Sequence, residues 1–187
     1  SPVSFFDADD GLPVTPSDLI RFDDRLYMAG QTGVLYLARP QGGAATGRFE
    51  AIATDGFQCW WFTEMPPVLT VACSGGLYEI EGTKARAVLA PGDGTFRASV
   101  SRRSSIDPTR LWVGLFDGLA SFRYADGRWI NEGRVSDVRD EIRTLFENPD
   151  GSLWAGTSST GVLRFSFPSR PVPGAARPPL TLERFGL

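Results

Sequence analysis

The sequence predicts an all-β chain, a β-propeller segment of four blades with four antiparallel strands each. Three observations carry this reading. Two landmarks recur in step: Tyr27, Leu69, Trp112 and Trp154 stand 42, 43 and 42 residues apart, and Gly33, Gly76, Gly118 and Gly161 stand 43, 42 and 43 apart. A repeat of roughly 40–45 residues built from short strands is the period of propeller blades. The 187 residues include 21 Gly and 14 Pro, which interrupt helices and favour turns. Short apolar runs alternate with polar residues, and no segment sustains a helical period.

Each unit divides in the same way. The first has an inner strand near Leu19–Phe22, a second strand over Arg25–Gly30, a third from Gly33 and an outer strand near Phe49–Ile52. The second runs from Cys59–Phe62 through Val68–Ala72 and Gly76–Tyr78 to Ala85–Leu89. The third runs from Phe96–Ser101 through Arg110–Gly114 and Gly118–Ala120 to Arg128–Ile130. In the fourth, Ile142–Phe146 leads into the turn Asn148-Pro149-Asp150-Gly151, then Leu153–Gly156, Gly161–Phe165 and, after a Pro-rich excursion, Leu180–Arg184. Pro sets φ in such a turn and Gly tolerates positive φ. The blades thus fall at about 17–52, 57–89, 96–130 and 138–185 of a single segment spanning 1–187. Residues 1–16 read as an outer strand and loop from a preceding blade, with Val3–Phe6 as the surplus strand; in a closed ring that strand would pair with the last blade instead. The landmark aromatics are expected between blades, and each landmark Gly where the chain reverses into its third strand.

Composition narrows the chemistry. There is no histidine, so Ser-His-Asp and Cys-His catalysis and the common zinc sites fall away. A net charge of −3 is not that of a nucleic-acid binder. No apolar run of about 20 residues is present to span a membrane. The acidic clusters at Asp7, Asp9 and Asp10, at Asp23-Asp24, and at Asp137, Asp140 and Glu141 give no assignable catalytic pair; Asp23-Asp24 reads as a solvated turn and Asp9-Asp10-Gly11 as a loop. Cys59 and Cys73 flank a hairpin. A bridge and two buried free thiols both fit, and the uncertain strand register favours the thiols. Neither metal nor cofactor is expected.

Glu147-Asn148-Pro149-Asp150-Gly151-Ser152-Leu153-Trp154-Ala155-Gly156-Thr157 and Leu111-Trp112-Val113-Gly114 with Asp117-Gly118-Leu119 resemble the two-component regulator propeller repeat. Phe5-Phe6 with Asp10-Gly11-Leu12-Pro13 has the form of the element that precedes a blade in that family. The resemblance implies a periplasmic sensor, the extracytoplasmic part of an inner-membrane bacterial regulator whose output is a histidine kinase or diguanylate cyclase. It implies a binding module for a small molecule or oligosaccharide, not an enzyme. A protein-interaction platform is the alternative, and a glycan hydrolase or lyase is a more distant one. The family's propellers have seven blades. Four repeats therefore suggest a fragment, a homodimer closing an eight-bladed ring, or a four-bladed ring.

Propeller ligands bind at one end of the central channel, on loops leading into the first strand and joining the second to the third. This places Asp55, Phe57, Arg97, Asp140 and Arg143 on one candidate face, shared by Gln31, Phe116, Asp117 and Ser158. Arg97, at the start of an inner strand, is expected nearest the axis. Arg102-Arg103 read as rim residues. In the run Trp60-Trp61-Phe62, alternation sends two rings into the blades and leaves one for the channel.

Overall fold

The computed structural model describes residues 5–12, 15–40, 47–88, 96–135, 138–168 and 172–186, and among them there is no helix. Four antiparallel sheets follow one another along the chain. The first holds β1 (Pro16–Phe22), β2 (Arg25–Gly30), β3 (Gly33–Ala38) and β4 (Arg48–Ile52). The second holds β5 (Cys59–Met65), β6 (Val68–Cys73), β7 (Gly76–Glu81) and β8 (Lys84–Ala87). The third holds β9 (Ala98–Arg103), β10 (Arg110–Leu115), β11 (Gly118–Ala125) and β12 (Arg128–Arg134). The fourth holds β13 (Ile142–Glu147), β14 (Leu153–Thr157), β15 (Val162–Ser166) and β16 (Thr181–Phe185). Each sheet is a meander whose strands pair in chain order, as the sequence predicts.

The innermost strands pack in succession, β1 on β5, β5 on β9 and β9 on β13. Among the described residues no comparable packing returns β13 to β1, so the four blades form an open arc. Three apolar cores lie between blades. Tyr27, Phe62, Leu69 and Val71 fill the first; Ala72, Leu77, Leu111 and Phe122 the second; Trp112, Leu119, Leu153 and Phe165 the third. The free face of the first blade buries Met28, Leu35 and Phe49 beneath Phe6 and Leu12 of the leading segment. Phe5 and Phe6 are not in a strand, and Val3 and Ser4 lie outside the described residues.

The landmark glycines act as expected. Gly33, Gly76, Gly118 and Gly161 all have positive φ, and a Cβ on Gly161 would stand 2.3 Å from the Phe185 carbonyl oxygen. The landmark aromatic of the second blade differs from expectation. Leu115 pairs with Gly118 and Cys73 with Gly76, so the position of Trp112 is held by Thr70, not Leu69. A shift of one residue reverses the face. Leu69 accordingly packs toward the first blade, while Thr70 turns away and donates its hydroxyl to the Thr63 carbonyl at 3.0 Å.

Polar bonds lock the blades. The Tyr27 hydroxyl donates to the Gly82 carbonyl at 2.9 Å, and Trp129 Nε1 donates to Glu79 Oε2 at 2.6 Å. Trp112 Nε1 donates to Glu147 Oε1 at 3.2 Å, and the same carboxylate accepts from Ser104 and Ser105. The Pro-rich excursion of the fourth blade reaches back over the third. Its Ala175 carbonyl accepts from Arg110, a fully buried guanidinium that also pairs with Asp107 at 3.2 Å and Glu132 at 2.9 Å.

The cysteines correct the sequence reading. Cys59 and Cys73 stand directly opposite on β5 and β6, with Cα atoms 4.0 Å apart, and form a disulfide. The register that the sequence left open decides it, because opposed residues of an antiparallel pair bring their side chains together on one face.

Candidate functional site

The inner strands carry the site. Each breaks register at the same point, leaving Ser17, Trp60, Ser99 and Arg143 in β-bulges. Such a bulge bends the strand and redirects a side chain. Beside these bulges β5, β9 and β13 line a groove of about 430 Å³. Its lining includes Trp61, Glu64, Arg102, Arg103, Arg143 and Thr144. Trp61 is 49% exposed although it sits mid-strand. The Arg102 guanidinium lies 5.4 Å from the centre of the Phe146 ring, and its buried Nε has no hydrogen-bond partner among the described residues. Arg143 pairs with Glu141 at 3.1 Å. An open indole face beside several guanidiniums can stack on a flat apolar ring face and hold a carboxylate by charge-assisted bonds.

The loop residues singled out from the sequence fall into separate groups. Hairpins are tied to the lead-in of their own inner strand by repeated backbone bonds: Ser74 N–H to the Gln58 carbonyl, Phe116 N–H to Arg97, and Ser158 N–H to Glu141. The Arg97 guanidinium covers the Phe116 ring at 4.3 Å, and Trp60 packs on the same ring with centres 5.5 Å apart. Arg97 is therefore engaged with an aromatic and does not line the groove. Asp117 pairs with Arg134 at 2.9 Å. Asp140 accepts from the Thr160 hydroxyl and pairs with Arg184 at 3.0 Å, and these partners, Thr160 foremost, hold its carboxyl below the ordinary aspartate range. Phe57 joins the core between the first two blades and lies so close to Gly75 that a Cβ there would meet its ring at 2.1 Å. Gln31, Asp55 and Ser158 are exposed.

Of the nine residues, only Arg143 lines the groove. The sequence reading placed Arg102 and Arg103 on the rim and singled out neither Glu64 nor Thr144. The run Trp-Phe-Thr-Glu-Met over 61–65 does not alternate apolar with polar, so no local pattern marks Trp61 as the open ring. The Asn148–Ser152 turn is self-contained. Asp150 Oδ1 accepts from the Ser152 backbone N–H and hydroxyl at 2.8 and 2.7 Å.

Four successive four-stranded sheets packed through their faces define a β-propeller segment. No family model matches the chain, and no curated protein does. Solved structures share the fold. The extracellular domain of the hybrid two-component system BT3049 from B. thetaiotaomicron is 19% identical with a TM-score of 0.55, over 80% of this chain and 20% of that one. That of BT4673, from the same organism, is 19% identical with a TM-score of 0.57, over 91% and 22%. YCF48 bound to D1 peptide is 12% identical with a TM-score of 0.56, over 92% and 56%. The chain thus spans about a fifth of the two extracellular domains and just over half of YCF48.

Proposed function

We propose that this chain is a ligand-sensing part of an extracytoplasmic propeller in a membrane-bound bacterial signalling receptor. Its inner-strand groove takes a small molecule or oligosaccharide that bears a carboxylate. The observation that carries this reading is Trp61, an indole left open in a groove that also holds Arg102 and Arg143. A sugar ring stacks its C–H face on the indole while its carboxylate meets the guanidiniums. The fold shared with extracellular domains of two-component systems supports the receptor reading. The Cys59–Cys73 disulfide supports an oxidising compartment such as the periplasm. The output is a histidine kinase or diguanylate cyclase module. Signalling follows if the ligand binds one arrangement of the propeller more tightly than another.

A glycan hydrolase needs two carboxyls facing each other across the sugar. Of the groove-lining residues only Glu64 carries one. The test is calorimetric titration with uronate-containing oligosaccharides against neutral oligosaccharides of equal length. Binding should favour the uronates and weaken about tenfold or more in Trp61→Ala and in Arg143→Ala, with the melting temperature unchanged. Equal binding of both classes, or variants that bind as the parent does, refutes the assignment.

A further inference from the structure

We infer that the cleft beside the Pro-rich excursion of the fourth blade is a second binding site, one that takes an ester of a tetrahedral oxoanion, phosphate or sulfate, carried on an apolar body. The cleft holds about 660 Å³. It lies at the rim of the arc, against the outermost strands β12 and β16, whereas the groove lies on the innermost ones. Arg134, Arg177 and Arg184 line it, and among the described residues no acidic one does. Val135, Pro179 and Leu182 belong to its apolar wall.

The excursion is fixed in place, so the cleft is preformed. Asp107 accepts from the Gly174 N–H at 3.2 Å, and the Gly174 and Ala175 carbonyls accept from Arg123 at 2.7 Å and Arg110 at 2.6 Å. Leu180 and Leu182 pack against the core between the third and fourth blades. The matching connections of the second and third blades are tight hairpins, Gly82-Thr83 between β7 and β8 and Asp126-Gly127 between β11 and β12. The cleft is therefore built by this excursion and not by the repeated blade.

The charge around the cleft falls short on the negative side. Arg134 pairs with Asp117 at 2.9 Å, Arg184 with Asp140 at 3.0 Å and Arg110 with Asp107 at 3.2 Å. Glu132 must then serve Arg110 at 2.9 Å, Arg123 at 3.8 Å and the charge of Arg177. The Arg177 guanidinium itself donates to backbone carbonyls, those of Gly133, Glu132 and Arg134, at 3.3, 3.4 and 2.9 Å. Burial lowers the pKa of this guanidinium, Glu132 opposes the shift and Arg110 adds to it. An arginine stays charged all the same. A half-buried guanidinium without its own carboxylate, in a cleft that no acid lines, calls for an anion. Three arginines drawn from β12, the excursion and β16 suit a group with three terminal oxygens better than a carboxylate, which has two. A bare oxoanion would leave most of the cleft unfilled, and apolar walls around a few polar groups suit an organic body.

The experiment is calorimetric titration of this chain with phenyl phosphate and phenyl sulfate, set against phenol and against inorganic phosphate and sulfate. At least one ester should bind, at one site per chain, about tenfold or more tighter than phenol and tighter than its own bare ion. The tighter of the two esters identifies the oxoanion. Arg177→Gln should weaken that binding about tenfold or more. Arg184→Gln, at a side chain half open to solvent, should do the same and keeps the test standing if the buried Arg177 variant fails to fold. Excess uronate oligosaccharide, the ligand assigned to the inner groove, should leave ester binding intact. The inference falls if neither ester binds at millimolar concentration, if phenol or the bare ion binds as tightly, or if folded variants bind as the parent does. Displacement of the ester by the uronate would place it in the groove and overturn the second site.

Discussion

Replacing Glu147 with alanine should loosen the third blade from the fourth. Its Oε1 accepts from the Ser104 hydroxyl at 2.9 Å and from Trp112 Nε1 at 3.2 Å, and its Oε2 accepts from the backbone N–H and hydroxyl of Ser105. Trp112 and Ser104 are 1% and 3% exposed, so water does not replace the lost acceptor there. Each buried donor left unpaired costs about 1–3 kcal/mol. Ser105 is exposed and rehydrates. Removing a buried carboxylate also relieves its own desolvation, which puts the net loss near the lower half of the sum, about 3 kcal/mol. For a chain of this length that is a fall in melting temperature of about 6–12 °C. Urea unfolding followed by far-ultraviolet circular dichroism measures the loss. A double-mutant cycle with Trp112→Phe isolates the indole bond, for which coupling of about 0.5–3 kcal/mol is expected. Glu147→Gln keeps one acceptor oxygen and should lose about half as much. A Glu147→Ala loss below about 1 kcal/mol, or strict additivity with Trp112→Phe, would refute the interlock.

Further outcomes follow from other contacts. Unfolding the unreduced protein should release no titratable thiol, and Cys59→Ser should lower stability by about 3 kcal/mol, the loop-closure value for a bridge of this span; two thiols in the titration would sink the bridge. Arg110→Met leaves Asp107 and Glu132 buried without their shared cation and should cost about 3–5 kcal/mol, read in the same urea titration. Gly114→Ala sets a Cβ 2.7 Å from Val100 and 2.8 Å from Ile142 and should cost about 1–3 kcal/mol through overpacking. Burial alone would raise the carboxyl of Glu132, but bonds from Arg110 and Ser121 outweigh it and hold the group below the ordinary glutamate range. Its stabilisation is complete above the unfolded value and fades as pH falls through the lower folded one. Glu132→Gln should therefore flatten the acid side of the melting-temperature profile, and an unchanged profile would show the group contributes nothing there.

The candidate site was far less legible than the repeat. The landmarks recur because every blade solves the same packing problem, so each leaves a copy of its solution in the sequence. Arg97 and Arg143 look alike in the sequence, each near the start of an inner strand. One is held over the Phe116 ring by the neighbouring hairpin, and the other occupies a bulge beside the groove. A bulge has no signature in residue types. It shows only when two strands are paired and one residue is left over. Trp61 has the same difficulty, because an exposed indole and a core indole read identically until the register says which way the ring points.

The sequence by itself determined the period, the four-strand division of each blade and the turns, because these rest on local preferences of Gly and Pro and on alternation within single strands. Strand register and the meeting of blades were decided only in the tertiary structure. Register made Thr70 rather than Leu69 the counterpart of Trp112, and it set Cys59 opposite Cys73. The meeting of blades buried Trp112 against Glu147 and left Trp154 open. The physical reason is common to all of them. A side chain's partner across a sheet or an interface lies far away in the chain, and a one-residue slip, invisible to local preference, sends it to the opposite face.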